Sequence, residues 1–450
     1  MISCDDAAMA RTPKLPGPKS ALLAYAKLFR DPLGYLVAAN KKYGDIVHMQ
    51  LGKRHDFLLN HPDYVRAVLL DSENFRRSVH RPLQRVLGQG LLTSKEPKHK
   101  KQRTMLQPIF HPQKIAALGV VMIEEIARWS DRWRDGATVD MGDEMTNLAM
   151  SIAGKTLFNV DFETKAPELR RVLTTILKAT RFNNLLVASK HFEKLGLPAH
   201  RRFARDAKKL DEIIGSMIAE RREGSSDDPD LLSVLVQLHK QSRKGLTDQK
   251  IRDQILTFFI GGHETIASGL MWTWYLLAKN RDAATKLRAE VDSILDGRLP
   301  SVEDTERLPY TRMVFAESMR LYPPVWIMGR RALAEVKLNG CVIPSGSYVH
   351  VSQYLMHHDA RFFPEPERFD PERWTQEAAS ARPKFSYFPF GGGGMQCIGE
   401  GFAWMQAVLA ISILASRWEM KVQPGLRLEL QGQITLRSRH GMPMILKRRK

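Results

Sequence analysis

Cysteine is scarce: Cys4, Cys341 and Cys397 are the three in 450 residues. A sparse, odd set excludes a disulfide scaffold and fits a reducing compartment. No apolar run is long enough to span a bilayer, and residues 1–10, with Asp5 and Asp6, have neither the length nor the charge pattern of a secretory leader or membrane anchor. Acidic residues are in deficit, 49 Asp and Glu against 68 Lys and Arg, which leaves a formal charge of +19. That balance suggests an acidic partner, a nucleic acid or an anionic surface. The basic run His200-Arg201-Arg202 comes with no nucleic-acid reading motif, so it reads as a solvated face. Hydrophobic residues at 43% and charged residues at 26% describe a globular chain with a large core.

What is present concentrates in residues 390–401, FGGGGMQCIGEG. Glycine permits positive φ and lets the backbone approach a flat ligand closely. After Cys397, residues 402–415 carry apolar side chains at helical spacing. The cysteine therefore falls in a loop just ahead of a helix start, where the helix dipole favours a thiolate. A thiolate held in such a loop can ligate a haem iron. A lone cysteine is also a common small buried hydrophobe, and the glycines equally make a tight turn between strand and helix. The loop by itself leaves both readings open.

The longest periodic segment covers 248–279, with Thr247 or Asp248 as its cap. Inside it, Gly261 and Gly262 precede His263, Glu264 and Thr265. Two adjacent glycines inside a helix cost about 1 kcal/mol each relative to alanine. Their physical use is room for a small molecule against the helix. Thr265 can offer its hydroxyl to that molecule or to the Gly261 carbonyl one turn back, and Glu264 can belong to a proton path. Helix packing through small residues, with Glu264 in solvent, accounts for the same string.

His99 and Arg103 lie four apart on one helical face, among Lys98, Lys100 and Lys101. They read as anion donors or as a solvated basic face. Residues 310–322 predict a helix stopped by Pro323-Pro324, with Glu317 and Arg320 on one side. Further helices are expected over 31–43, 61–70, 115–133, 145–158, 174–188 and 200–222. Strands are expected over 46–51 and 54–59, 337–342 and 348–351 with Gly340 and Gly346 in turns, and 418–422, 426–430 and 434–437. Residues 78–90 lack clean periodicity, and Gly88 and Gly90 mark a mobile connector. Residues 224–230, GSSDDPD, read as a flexible junction.

Taken in order, these strings resemble the cytochrome P450 family. Phe390, Gly391, Gly393, Cys397 and Gly399 resemble its haem-binding loop, with Met395 where the family carries Arg or His. Gly261, Gly262, Glu264 and Thr265 resemble its central-helix motif, and Glu317 with Arg320 its E-x-x-R pair. Pro371-Glu372-Arg373-Trp374 resembles its P-E-R-F segment with Trp for Phe, and Arg330 stands ten residues after Arg320, where an arginine commonly binds a haem propionate.

The resemblance implies a mainly α fold with a small β portion, the cytochrome P450 fold, as one domain over 15–450 after a flexible extension 1–14. It implies haem b with Cys397 as the iron ligand. His99, Arg103 and Arg330 would meet the propionates, and Gly261, Phe390, Gly391, Gly393 and Gly399 would surround the ring. The implied reaction is monooxygenation, one atom of O2 entering an organic substrate, with Glu264 and Thr265 as the catalytic pair. Glu317, Arg320 and Arg373 would form a structural clamp, Arg373 hydrogen-bonded to Glu317. Val79, Leu83, Leu87, Phe258, Val325, Ile327 and Ile434 are expected to line an apolar pocket suited to a terpenoid, fatty acid or steroid-sized molecule. Electrons would come from an acidic ferredoxin or flavodoxin with its reductase, drawn to Lys98, Lys100 and Lys101. A monomer in a bacterial cytoplasm is expected, with no nucleic acid and no transmembrane anchor. The alternatives are a peroxide-driven hydroxylase and a haem sensor or carrier; the acid–threonine pair argues against both. Methionine cannot donate a hydrogen bond, so Met395 leaves the propionates to His99, Arg103 and Arg330, and Met395→Arg is expected to tighten haem retention.

Overall fold

The computed structural model describes residues 15–79, 81–160, 198–223, 230–241, 247–338 and 341–449, with Glu168, Arg171, Val172 and Thr175. The extension 1–14, the helix expected over 174–188 (Thr175 apart), the junction 224–229 and the Gly340 turn lie outside the described residues.

Two capped helices open the chain, α1 (Ala21–Arg30) and α2 (Pro32–Tyr43), with Ser20 and Asp31 accepting backbone N–H groups at their starts. Gly44, at φ +81°, ends α2. The Gly52 turn then joins β1 (Ile46–Leu51) to β2 (Arg54–Leu59), antiparallel in the expected register. Next come α3 (Pro62–Leu70), β3 (Phe75–Arg77), α4 (Arg81–Leu87), α5 (Lys98–Leu106), α6 (Pro112–Ser130), β4 (Thr138–Asp140) and α7 (Met141–Phe158). Then follow α8 (Pro198–Glu223), α9 (Leu231–Gln241), α10 (Asp248–Lys279), α11 (Arg281–Leu295) and α12 (Pro309–Leu321). The last part runs β5 (Met328–Ala332), β6 (Val336–Leu338), β7 (Cys341–Ile343), β8 (Tyr348–Val351), α13 (Gln353–His357), α14 (Gln376–Ser380), α15 (Glu400–Arg417), β9 (Trp418–Val422), β10 (Leu430–Gly432), β11 (Leu436–Ser438) and β12 (Pro443–Arg448).

Two helices form the centre. α10 and α15 are apolar nearly all round, which is the pattern of a helix enclosed on every side. Trp272 of α10 is fully buried and stacks on Tyr322 with ring centroids 4.1 Å apart. A five-stranded sheet in the order β1-β2-β8-β5-β3 lies beside this helical core, with β2 and β8 parallel. Alternation along β5 buries Arg330 and exposes Arg331. A second sheet, β4-β12-β9, and the two-stranded pairs β6–β7 and β10–β11 complete the β portion among the described residues.

Three expectations are corrected. The strands expected over 426–430 and 434–437 sit further along as β10 and β11, because Gln433 N–H bonds to the Thr435 carbonyl and makes residues 433–435 the turn. Residues 78–90 contain a helix, α4. Gly88 and Gly90 are there for close approach: a Cβ would stand 2.2 Å from the Asp253 carboxylate at Gly88 and 2.2 Å from the Thr257 hydroxyl at Gly90. This roof segment is pinned to α10. Gln89 N–H donates to Asp253 at 2.7 Å, Leu91 N–H to Gln254 at 3.0 Å, and Arg252 to the Val86 carbonyl at 2.7 Å.

Candidate active site

Between α10 and the loop ahead of α15 lies a cavity of about 520 Å³. Phe390, Cys397 and Gly399 line one wall; Phe258, Gly261, Glu264 and Thr265 of α10 line the other. Val79 and Leu83 reach it from the roof, Val325, Ile327 and Arg330 from the approach to β5, and Ile434 from the hairpin turn. Leu87 does not line the cavity. It is fully buried, on the side of α4 that packs into the helical core.

Two glycines in the cysteine loop have backbones that only glycine takes easily: Gly391 at φ +75° and Gly393 at φ +67°. A Cβ at Gly393 would lie 2.4 Å from the Leu69 carbonyl oxygen. Cys397 N–H closes the loop on the Phe390 carbonyl at 2.9 Å. Cys397 is exposed where it lines the cavity. Desolvation by the surrounding protein still raises the thiol's pKa; the Gly399 N–H and the charges of Arg103 and Arg77 act against it without reversing it. The expected thiolate-favouring helix start is thus outweighed by burial, because Cys397 precedes Gly399, the residue before the first turn of α15.

One end of the cavity gathers cations. His99, Arg103 and Arg330 line it, and so does Arg77 of β3, which the sequence reading passed over. Arg103 donates to the Gln396 carbonyl at 2.6 Å and so ties α5 to the cysteine loop. His99 Nδ1 lies 3.0 Å from Glu96, and its pKa is lowered by burial and by Arg77. Burial alone pulls Arg330 down to about 10; burial, Arg330 and Arg103 do the same to Arg77. Neither arginine has a carboxylate within ion-pair distance among the described residues: Arg330 donates to the Gly329 carbonyl, and Arg77 to those of Leu91, Leu92 and Met395. Arg330 is buried and Arg77 half-buried, and cations held there without a counter-charge are costly and mark where an anion belongs. The signal for Arg77 was available, since it sits two residues after buried Phe75 and so shares its face of β3.

On α10, Thr265 donates to the Gly261 carbonyl at 2.8 Å, the back-bond its spacing predicts. A Cβ added at Gly261 would meet nothing within 4 Å, so the helix presents open space there. Glu264 accepts from the Thr435 hydroxyl at 2.9 Å and forms an ion pair with Arg437 at 3.0 Å, two partners that no motif in the sequence announced.

Glu317 and Arg320 are both fully buried. Arg320 forks onto the two carboxylate oxygens at 2.8 and 2.9 Å and also donates to the carbonyls of His357, Pro366 and Arg368. The expected hydrogen bond from Arg373 is not made: its Nε stands 3.5 Å from Glu317, and its guanidinium donates to the Glu365 carbonyl. Trp374 Nε1 donates to Glu317 at 2.9 Å and the Asp370 N–H at 3.0 Å, and with Arg320 they fill the carboxylate. Trp in place of Phe thus supplies a donor that phenylalanine lacks.

The family model described as Cytochrome P450 matches residues 13–439. The chain belongs to the cytochrome P450 family. Among curated relatives, this P450 is 37% identical to cyclooctat-9-en-7-ol 5-monooxygenase of Streptomyces melanosporofaciens over 91% of this chain and 90% of that one. It is 36% identical to cyclooctatin synthase of the same organism, over 90% and 89%. The crystal structure of the cytochrome P450DA heme domain superposes with a TM-score of 0.84 at 23% identity, covering 97% of this chain and 98% of that one, a likeness of fold. The mainly α architecture with a small β portion is thus the P450 fold, and the chain is an enzyme of the haem-thiolate monooxygenase family. Among the described residues, no helix is long and apolar enough to cross a membrane.

The P450 cofactor is a haem, and the residues present fit one. A cysteine sulfur faces the cavity, glycines clear both walls, and two arginines without counter-charge, Arg330 buried and Arg77 half-buried, stand at one end. Bound there, the haem would supply oxygen activation, and iron ligation would lower the thiol's pKa that burial has raised.

Proposed function

We propose that this P450 oxygenates a terpenoid, using O2 and electrons from an acidic ferredoxin or flavodoxin. Cys397 is the iron ligand in this reading, and Glu264 and Thr265 deliver protons and place oxygen. Glu317, Arg320 and Arg373 keep the core behind the cysteine loop in register. The observation that carries the reading is one cavity shared by Cys397, the Glu264–Thr265 pair and the apolar side chains Val79, Leu83, Phe258, Val325, Ile327 and Ile434. The relatives named for cyclooctat-9-en-7-ol and, at 28% identity over 88% of this chain, for pentalenene support a terpenoid over a fatty acid or steroid. Residues 15–450 act as one domain and work as a monomer, and the sparse cysteines support a reducing, cytoplasmic compartment. The test is a haem spin-state titration with cyclooctat-9-en-7-ol, pentalenene, palmitate and progesterone, followed by product analysis. The expected result is a high-spin shift and a hydroxylated product with a terpenoid. Tighter binding and turnover of palmitate or progesterone would overturn the substrate class.

Arg77, Arg103, Arg330 and His99 hold the propionates. Arg77 supplies the charge that Met395 withholds: its guanidinium reaches the Met395 carbonyl at 3.5 Å, and the methionine side chain is buried. The gain expected from Met395→Arg then disappears, because a second guanidinium would crowd Arg77. Haem transfer to an excess of apomyoglobin reads this directly. Arg77→Leu should lose haem about tenfold faster, the equivalent of roughly 1.4 kcal/mol, and Met395→Arg should lose it no more slowly than wild type. Slower loss from Met395→Arg would mean the site still lacks an anchor.

The donor docks on Lys100 and Lys101, exposed on α5 beside the cysteine loop. Lys98 is taken from this group because it reaches back to Gln89 at 2.6 Å. Reduction by an acidic ferredoxin should slow about tenfold or more between low and high salt, and Lys100→Glu/Lys101→Glu should slow it at low salt. A rate indifferent to both would place the donor elsewhere.

A further inference from the structure

The geometry points to Arg437 as a positioning residue for Glu264: it docks the carboxylate on the β10–β11 hairpin, and Glu264 takes up and passes a proton only when that hairpin releases it. The inference rests on the monooxygenase reading of Glu264, but its first test does not.

Three side chains close a triangle. The Thr435 hydroxyl donates to Glu264 Oε1 at 2.9 Å, Arg437 Nη2 pairs with the same oxygen at 3.0 Å, and Arg437 Nε donates to Thr435 Oγ1 at 3.3 Å. Arg437 Nη1 donates to Thr146 of α7 at 3.3 Å, so the guanidinium bridges three elements. The charged and titratable groups acting on Glu264 are Arg437 from β11 and His263 from its own helix. Burial pushes the Glu264 carboxyl's pKa up, and Arg437, His263 and Thr435 together outweigh it and hold the group low. At neutral pH the docked carboxylate carries no proton to give. Without Arg437, the burial remains and its main opponent is gone.

The hairpin also meets the substrate end of the cavity. Gln433 and Ile434 line it, and Thr435 is the next residue. Beyond Thr435 the chain is fixed: the Leu436 carbonyl accepts from Ser268 at 2.7 Å and Trp272 at 2.9 Å, and its N–H donates to the Pro324 carbonyl at 3.0 Å. A ligand that displaces Ile434 therefore moves Thr435 against a fixed point, and the contact it loosens is the one on Glu264. Proton supply is then tied to an occupied cavity.

The test uses haem-loaded wild type, Arg437→Met, Arg437→Lys and Glu264→Gln backgrounds of each. Infrared difference titration follows the protonated carboxyl band that Glu264→Gln removes. Wild type should show no such band at neutral pH. Arg437→Met should show one with a midpoint at least one pH unit higher, and Arg437→Lys should return toward wild type. The second readout is NADH consumption with the donor system and no organic substrate, which should rise at least threefold in Arg437→Met and little in Arg437→Lys. A wild-type titration in Arg437→Met overturns the positioning role, and a raised midpoint with unchanged NADH consumption overturns the gating role. If Arg437→Met fails to hold haem, Thr435→Val is read instead, where a smaller rise in midpoint is expected and none refutes the inference. The infrared result stands whether or not the protein hydroxylates any compound tried, so the two readings fail separately.

Discussion

Cys397→Ser, reduced under carbon monoxide, should lack the strongly red-shifted Soret band of a thiolate haem, and product formation should fall below detection. The sulfur opens onto the cavity through a loop that Gly391 and Gly393 shape and the Phe390 carbonyl closes. A thiolate pushes electron density to the iron and favours O–O cleavage; a serine oxygen does not replace it. Cys341→Ser is the control, since that thiol is buried on β7, which pairs with β6, outside the residues that line the cavity, and its loss should leave the spectrum alone. Because burial raises the pKa of Cys397, the apoprotein should hold it as a thiol at pH 7 and release a proton on loading haem. A red-shifted band retained by Cys397→Ser would remove the residue from the iron.

Arg320→Met should be the most destabilising substitution among the motif residues, by about 3–5 kcal/mol. It leaves Glu317 fully buried without its fork and takes donors from three backbone carbonyls at once. Arg373→Met should cost clearly less, because Arg373 approaches Glu317 at 3.5 Å without a hydrogen bond. Replacing Glu317 and Arg320 together by Met should recover part of the loss, since no lone charge is left behind. Urea unfolding of the four proteins orders these effects. An Arg320→Met variant as stable as wild type would mean that the carboxylate is satisfied by Trp374 and Asp370 alone.

The sequence made the helical frame legible where one signal dominated. Thr247 capping α10, the helix over 31–43 and the strands over 46–51 and 54–59 are local chemistry, and they appear where spacing put them. Cys397, Gly261 and Thr265 were legible because glycine is costly in a helix and informative in a loop. Other features depend on partners far away in the chain. Gly88 and Gly90 read as looseness until Asp253 and Thr257 stand against them. Arg77 reads as surface until Arg330 and Arg103 share its end of the cavity. Arg437 carries no motif at all; its meaning comes from a carboxylate more than 170 residues earlier, reached only after β11 is pinned to α10.

The pinning of residues 86–91 to Asp253, Gln254 and Arg252 makes the roof and the middle of α10 parts of one beam. Asp253 and Gly261 are eight residues apart on α10, about 12 Å of helix. A substitution at Asp253 that frees the roof therefore also changes α10 about two turns ahead of Gly261, so roof and chamber cannot be edited separately at that residue.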